Sequence, residues 1–295
     1  MENKVAILIP IFNGIAHTLK CIESIKKSSF TNYEIVIIDD GSEDNSSKII
    51  NMKHPEITII KGTGNLWWSG SMNKGIEYVL ENLSEYDYVL LLNNDNIVKK
   101  NMIIELVKAA KYNKDTVICS KVLLMDDPKR LFFAGGYSSI RKGGLYSKGC
   151  FEIDGDLFSK DQLVEWCGGM GVLIPMKIIK EVGFFNNTDF PQYYGDADYF
   201  YRIRQKGYKI LYNTSSICLN NRDQTGIYIK DEKVTLENIK GILFSIKSPN
   251  NLKVNIKFYF SHFNIFKGVS MCTVRYGVLG LRILKRIIKY NLRII

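Results

Sequence analysis

Apolar residues in this chain gather in short runs closed by Pro, Gly, Asn or Asp. Between the runs lie stretches whose apolar positions recur every third or fourth residue. Runs of the first kind read as buried strands and stretches of the second as amphipathic helices. Residues 4–9 (KVAILI) predict a first strand, 10–14 (PIFNG) a turn, 17–27 a helix and 33–38 a second strand. Asp44 is placed to cap a helix reaching about Met52, and 57–60 form a third strand. A helix over 69–83, a strand over 88–92, a helix over 101–112 and a strand beginning at 117–119 follow. Residues 126–165, rich in Gly, Asp and Lys, show no clean period; strand 172–174, helix 176–182 and helix 196–206 come after them. Strands alternating with helices at this spacing predict βαβ units and an α/β, Rossmann-like fold with a mostly parallel central sheet.

Two of the runs, EIVIIDDGS and DYVLLLNNDN, end in acid. The carboxyl ends of parallel strands open onto the ligand crevice, so Asp39, Asp40 and Asp95 are expected near one another at its mouth. Carboxylates gathered there suit a divalent cation, Mg²⁺ or Mn²⁺, that screens them from a phosphate-bearing ligand.

The 295 residues suffice for one large α/β domain with an ample core. The six cysteines are scattered, which argues against a zinc site and for free thiols in a reducing compartment. The apolar stretch 5–9 stops at Pro10, too short for a signal peptide, and no run is long enough to span a bilayer. The net charge of +10 is uneven: Glu237 is the last acid, and eleven cations follow it, leaving residues 1–237 near −1. No base-stacking or groove-reading motif accompanies these cations, so no nucleic-acid partner is expected.

Gly62-Thr63-Gly64 sits where a dinucleotide fingerprint would, but Trp67 occupies the place of its third glycine, which excludes NAD. A nucleotidyltransferase would want a glycine-rich, basic loop after the first strand, and PIFNG has one glycine and no charge. Asp39-Asp40-Gly41-Ser42 reads most simply as a turn and cap. Beside Pro10, Phe12 and Asn13 at the sheet's switch point, a carboxylate there can also accept the imide N–H of uracil or thymine.

The ordered series PIFNG, IIDDGSED, GNLWWSGSMNKGI, LLLNNDN, GGMGVLIP and FPQYYGDADYFYRIRQKGY resembles inverting family 2 glycosyltransferases of GT-A fold, and within them rhamnosyltransferase-like bacterial enzymes of surface-polysaccharide synthesis. The resemblance covers about residues 4–221. It implies transfer of a sugar from a UDP- or dTDP-activated donor to a glycan acceptor, lipid-linked in such pathways. It further implies that Pro10, Phe12 and Asn13 line the nucleotide pocket and that Asp40 contacts the pyrimidine. Asn65, Trp68, Asn73 and Asn94 are expected about the donor, and Asp95 on the metal. Where the family carries D-x-D this chain reads Asn93-Asn94-Asp95, so one carboxylate must hold the cation with help from diphosphate oxygens. The late histidine that some members place on the metal is here replaced by Leu219-Asn220-Asn221, and His17, His54 and His262 show no partner spacing.

On the acceptor side, Trp166, Gly169, Tyr194 and Asp198 are expected, with Phe190 and Tyr193 as further stacking candidates. Aromatic packing and a tight glycine turn are the plain alternatives. Asp196 and Asp198 open a helix, where capping alone would explain them. Inverting transfer needs a base, and the resemblance aligns Asp196 with it, while Arg202, one turn from Asp198, predicts a supporting pair. A non-catalytic nucleotide- or glycan-binding module of the same fold is the alternative.

The domain division expected is 1–238 catalytic and 239–295 a basic helical extension. From Val274 onward Arg275, Arg282, Lys285, Arg286, Lys289 and Arg293 fall on one side of a helix. Val274, Val278, Leu281, Leu284, Ile288 and Leu292 fall on another, widened by Ile283, Ile287 and Ile294. That pattern predicts a peripheral position on the cytoplasmic face of the cell membrane. The competing reading packs the helix on the catalytic domain or on the partner of a homodimer.

Overall fold

A computed structural model describes residues 3–82, 86–221 and 234–291. The chain runs β1 (Val5–Ile11), α1 (Ile15–Lys26), β2 (Tyr33–Asp39), α2 (Ser46–Lys53), β3 (Thr58–Lys61), α3 (Trp67–Glu81), β4 (Tyr88–Leu91), β5 (Asn96–Val98), α4 (Met102–Tyr112) and β6 (Thr116–Leu124). Then come β7 (Leu131–Phe133), a hairpin of β8 (Gly136–Ser139) and β9 (Gly144–Ser147), β10 (Gln162–Leu163) and β11 (Val172–Pro175). Next are α5 (Met176–Val182), α6 (Gly195–Gln205), β12 (Lys209–Asn220), α7 (Leu236–Phe244), α8 (Leu252–His262) and α9 (Ile265–Asn291).

The main sheet has the order β10-β12-β6-β11-β4-β1-β2-β3, with β5 beside β12 and β7 beside β6. Strands β3, β2, β1, β4, β6 and β12 point one way, and β11 and β10 oppose them. The α/β architecture with a mostly parallel sheet is thus as expected. The chain steps from β1 to β2 and β3 on one side, then returns to place β4 on the other. This switch beside β1 opens a crevice at the strands' carboxyl ends. The central strands are covered on both faces, which is why they read as continuous apolar runs: Val5–Ile9, Val36–Ile38 and Val89–Leu92 are wholly buried. Helix α3 lies close on β1 and β2 because Gly75 has no side chain; a Cβ there would come within 2.8 Å of Leu8.

Differences from the sequence expectation have local causes. Asp44 does accept from Ser46, but Asn45 holds the α2 cap position, and the other Asp44 oxygen accepts the Ile15 N–H at 3.0 Å, at the start of α1. The long β12 escapes detection because polar Asn213 to Ser216 interrupt it at a bulge, where Asn213 Oδ1 accepts from Ser216 N at 2.9 Å. Strands β7 to β10 are too short and glycine-broken to show a period. Leu83, the expected end of the third helix, lies outside the described residues.

The expected boundary at residue 238 falls inside α7. Beyond it, α8 packs on α6 and α9 on α8, around a second apolar cluster of Phe190, Tyr194, Ala197, Tyr201, Phe258, Tyr259 and Met271. Arg275, expected on an open cationic face, instead donates to Pro249 O at 2.8 Å and Asn250 Oδ1 at 3.0 Å. Leu292, Arg293 and Ile294 lie outside the described residues. No described helix is long and apolar enough to cross a membrane.

Candidate active site

Three strand ends build one wall of the crevice. Phe12, just past β1, is 60 % exposed, a large apolar ring with no cover, and Pro10 beside it is half-buried. Asn13 adopts the left-handed conformation (φ 61°). Its N–H donates to Ser42 Oγ and its side-chain oxygen accepts from Glu43 N, both at 2.8 Å, so the ends of β1 and β2 are laced together. Burial opposes ionisation of Asp39, but Ser47, Ser42 and Lys61 (3.0 Å) outweigh it and hold its carboxyl below the usual range.

Asp40 accepts from three backbone N–H groups: Gly64 and Leu66 at 2.8 Å and Trp67 at 3.0 Å. It is 5 % exposed. A carboxylate has about four lone-pair sites, and three of those of Asp40 shape the loop into α3. The loop carries Asn65, which is exposed, and ends on Trp67, held left-handed at φ 57°, a costly conformation for so large a residue.

Past β4, Asn93, Asn94 and Asp95 are all half-buried. Asn94 Nδ2 donates to Thr18 Oγ1 at 3.1 Å, leaving its oxygen toward other partners. Asn96, buried, accepts from Asn93 N at 3.0 Å and donates to Asn220 Oδ1 at 2.8 Å, which fixes the turn. Asp95 makes a long contact, 3.4 Å, to Asn96 Nδ2. Burial pushes its carboxyl up to about 6, its own backbone N–H opposing. Among the described residues no three His, Cys, Asp or Glu side chains gather. One carboxylate flanked by amide oxygens fits a hard cation only where a ligand's phosphate oxygens complete its shell.

Trp68 joins this wall to the opposite one. Its indole N–H donates to Asn93 Oδ1 at 2.9 Å, its backbone N–H to Gln192 Oε1 at 3.2 Å, and its ring stands edge-on to Phe185. The ring lies so close over Gly169 that any Cβ there would overlap it. Next to it, a Cβ on Gly168 would come 3.5 Å from Asp196 Oδ2. The motifs carrying Trp68, Asn93, Gly168-Gly169 and Asp196 therefore meet in space. Gly169→Ala is expected to cost about 1–3 kcal/mol by overpacking and to displace the indole from Asn93. Thermal unfolding checks it, and an unchanged melting temperature would show that the ring has room to move.

Asp196 is half-buried at the start of α6, its Oδ1 accepting from Ala197 N at 2.7 Å. Burial pushes its carboxyl up to about 6, against the pull of that N–H. The preceding Tyr194 is left-handed (φ 67°), which turns the chain into the helix.

Several expected site residues serve elsewhere. Asp198 is 3 % exposed and spends its oxygens on Arg202 Nε (2.9 Å) and His262 Nε2 (2.8 Å); it holds α8 to α6 rather than an acceptor. Tyr194 is buried, its hydroxyl donating to Asn255 Oδ1 at 2.6 Å, and Phe190 is buried in the same cluster. Trp166 donates to Tyr137 O at 3.1 Å and packs on Phe133 and Gly136. Asn73 exchanges bonds with the Phe185 backbone, giving at 2.9 Å and accepting at 2.8 Å, so its amide braces the 185–187 loop. Sequence reasoning missed His262 and Gln192, because each partner lies on a distant element.

Residues 6–152 match the model of Glycosyl transferase family 2. Over that stretch, just under half of the chain, the sequence is similar to that family. The chain is 26 % identical over 136 residues to Glycosyltransferase GlyG of Streptococcus pneumoniae, a match covering 45 % of this chain and 44 % of that protein. An uncharacterized glycosyltransferase of Rickettsia typhi is 25 % identical over 62 % of this chain and 54 % of its own length. The Poly(ribitol-phosphate) beta-glucosyltransferase of Bacillus spizizenii is 24 % identical over 40 % and 19 %. The chain thus spans about half or less of these relatives. In structure, GalNAc-T7, crystallised with UDP, GalNAc and Mn²⁺, superposes with a TM-score of 0.60 over 87 % of this chain and 51 % of that one, at 13 % identity. That likeness shows the GT-A fold.

Proposed function

We propose that the protein is an inverting glycosyltransferase that moves a hexosyl or rhamnosyl group from a UDP- or dTDP-sugar to a glycan acceptor, lipid-linked, at the cytoplasmic face of the cell membrane. The observation that carries this reading is the meeting of Asp196 with the Trp68–Asn93 pair across Gly168-Gly169, which puts a candidate base against the strand-end wall of the crevice.

In this reading Phe12 covers one face of the pyrimidine, and the remaining acceptor position of Asp40 takes its imide N–H. Asp196 accepts the proton of the acceptor hydroxyl as that oxygen bonds to the anomeric carbon. The bond from that carbon to the diphosphate breaks with its electron pair on the leaving oxygen, and attack from the opposite side inverts the centre. Asp95, with the Asn94 oxygen, would hold Mg²⁺ or Mn²⁺ together with the diphosphate; when bound, the cation supplies charge stabilisation to the leaving group.

Incubation with a panel of UDP- and dTDP-sugars, followed by mass spectrometry for transfer or donor hydrolysis, tests the reading. Nucleotide binding without turnover on any donor would point to a binding module instead. Activity is expected to stop in chelator and return with Mg²⁺ or Mn²⁺. Asp95→Asn should raise the metal concentration needed for half-activity at least about tenfold. Full turnover in chelator would remove the metal from the scheme.

A further inference from the structure

Helix α9 presents two unlike sides. Toward the body, Met271 and Leu279 are buried, and Arg275 and Tyr276 bond to the 249–250 turn. On the opposite side, at helical spacing, Phe266, Leu281, Leu284 and Ile288 stand 83, 60, 51 and 46 % exposed. Small residues, Ser270, Thr273, Gly277 and Gly280, fill the same face between them. Along one flank of this stripe run Arg282, Lys285 and Lys289, all exposed.

From this arrangement we infer that the outer face of α9 docks on an anionic lipid bilayer, the helix lying in the headgroup plane with its apolar stripe inward. Charge decides the occupant. No acid follows Glu237, so a second copy of the helix would bring cation against cation along the seam, whereas anionic headgroups complement every one. The inference corrects the cationic face expected from sequence, since Arg275 belongs to the body contact. It deepens the reading of a lipid-linked acceptor: α8 is tied to α6 by His262 and Asp198, so the helix bearing Asp196 is held at a fixed place relative to α9.

The test is flotation of the full chain with vesicles of phosphatidylcholine, alone or mixed with phosphatidylglycerol. The protein is expected to float only with the mixed vesicles and less as salt rises. The triple variant Leu281→Ser, Leu284→Ser, Ile288→Ser should stay unbound at every salt. The variant Arg282→Gln, Lys285→Gln, Lys289→Gln should partition about a hundredfold more weakly, roughly fivefold per cation. All six positions are exposed or nearly so, and unchanged melting temperatures verify the fold. Wild-type protein unbound at low salt, or bound equally to neutral vesicles, overturns the inference. So does a wild-type dimer that the serine variant turns into monomer without any vesicle binding. Neither donor nor acceptor is needed, so failure here leaves the transfer reading standing.

Discussion

Asp196→Asn is expected to lower turnover by about two to four orders of magnitude while donor affinity changes little. The amide keeps the size of the side chain and the oxygen that accepts the Ala197 N–H, so α6 should start as before. What it loses is basicity. Burial has pushed the Asp196 carboxyl up to about 6, near enough to neutrality to take a proton from an attacking hydroxyl and still be ionised in the cell. Wild-type turnover should therefore rise with pH through about 6 and level once the carboxylate is ionised. Stability runs the other way. A carboxyl whose folded value lies above its ordinary 3.8 favours folding below that value and loses the contribution as pH rises through about 6. Across that window the wild type should lose stability relative to Asp196→Asn. Steady-state kinetics and thermal unfolding of both proteins over the same pH series decide the matter; near-normal turnover in the variant would leave Asp196 as a helix cap only.

Asp198→Ala is expected to destabilise the fold by about 3 kcal/mol, the usual cost of removing one partner from a buried pair. His262, 3 % exposed in its side chain, would be left in an apolar setting of Tyr201 and Phe258 without its acceptor. Arg202 fares better, because its guanidinium still reaches the carbonyls of Val182 and Phe184. His262→Ala should cost less than Asp198→Ala, and the double variant less than their sum, since both break one bond. Chemical denaturation of the four proteins closes this cycle. Strict additivity would mean that Asp198 and His262 act independently, and the tie between α6 and α8 would then rest on the aromatic cluster alone.

The strand-end wall was legible in sequence because β1, β2 and β4 are buried on both faces and their apolar runs stop sharply at Asn13, Asp39 and Asn93. The start of α6 at Asp196 is also legible, from the helix-start pattern. The opposing wall was not. Whether an aromatic faces a ligand or a core depends on what packs over it, and α8 covers Tyr194 and Phe190 from a part of the chain with no period shared with theirs. Asp198 failed for the same reason, its partner His262 lying 64 residues away. The close approach of Gly169 to Trp68, a century of residues upstream, emerges only in three dimensions.

Asp40 binds the loop from Gly64 to Trp67 through three N–H groups before any ligand arrives. The entropy of ordering that loop is thus lost during folding and does not weigh on association. Under the proposed function, a nucleotide would meet this wall as a finished mould, its capture limited by encounter rather than by rearrangement.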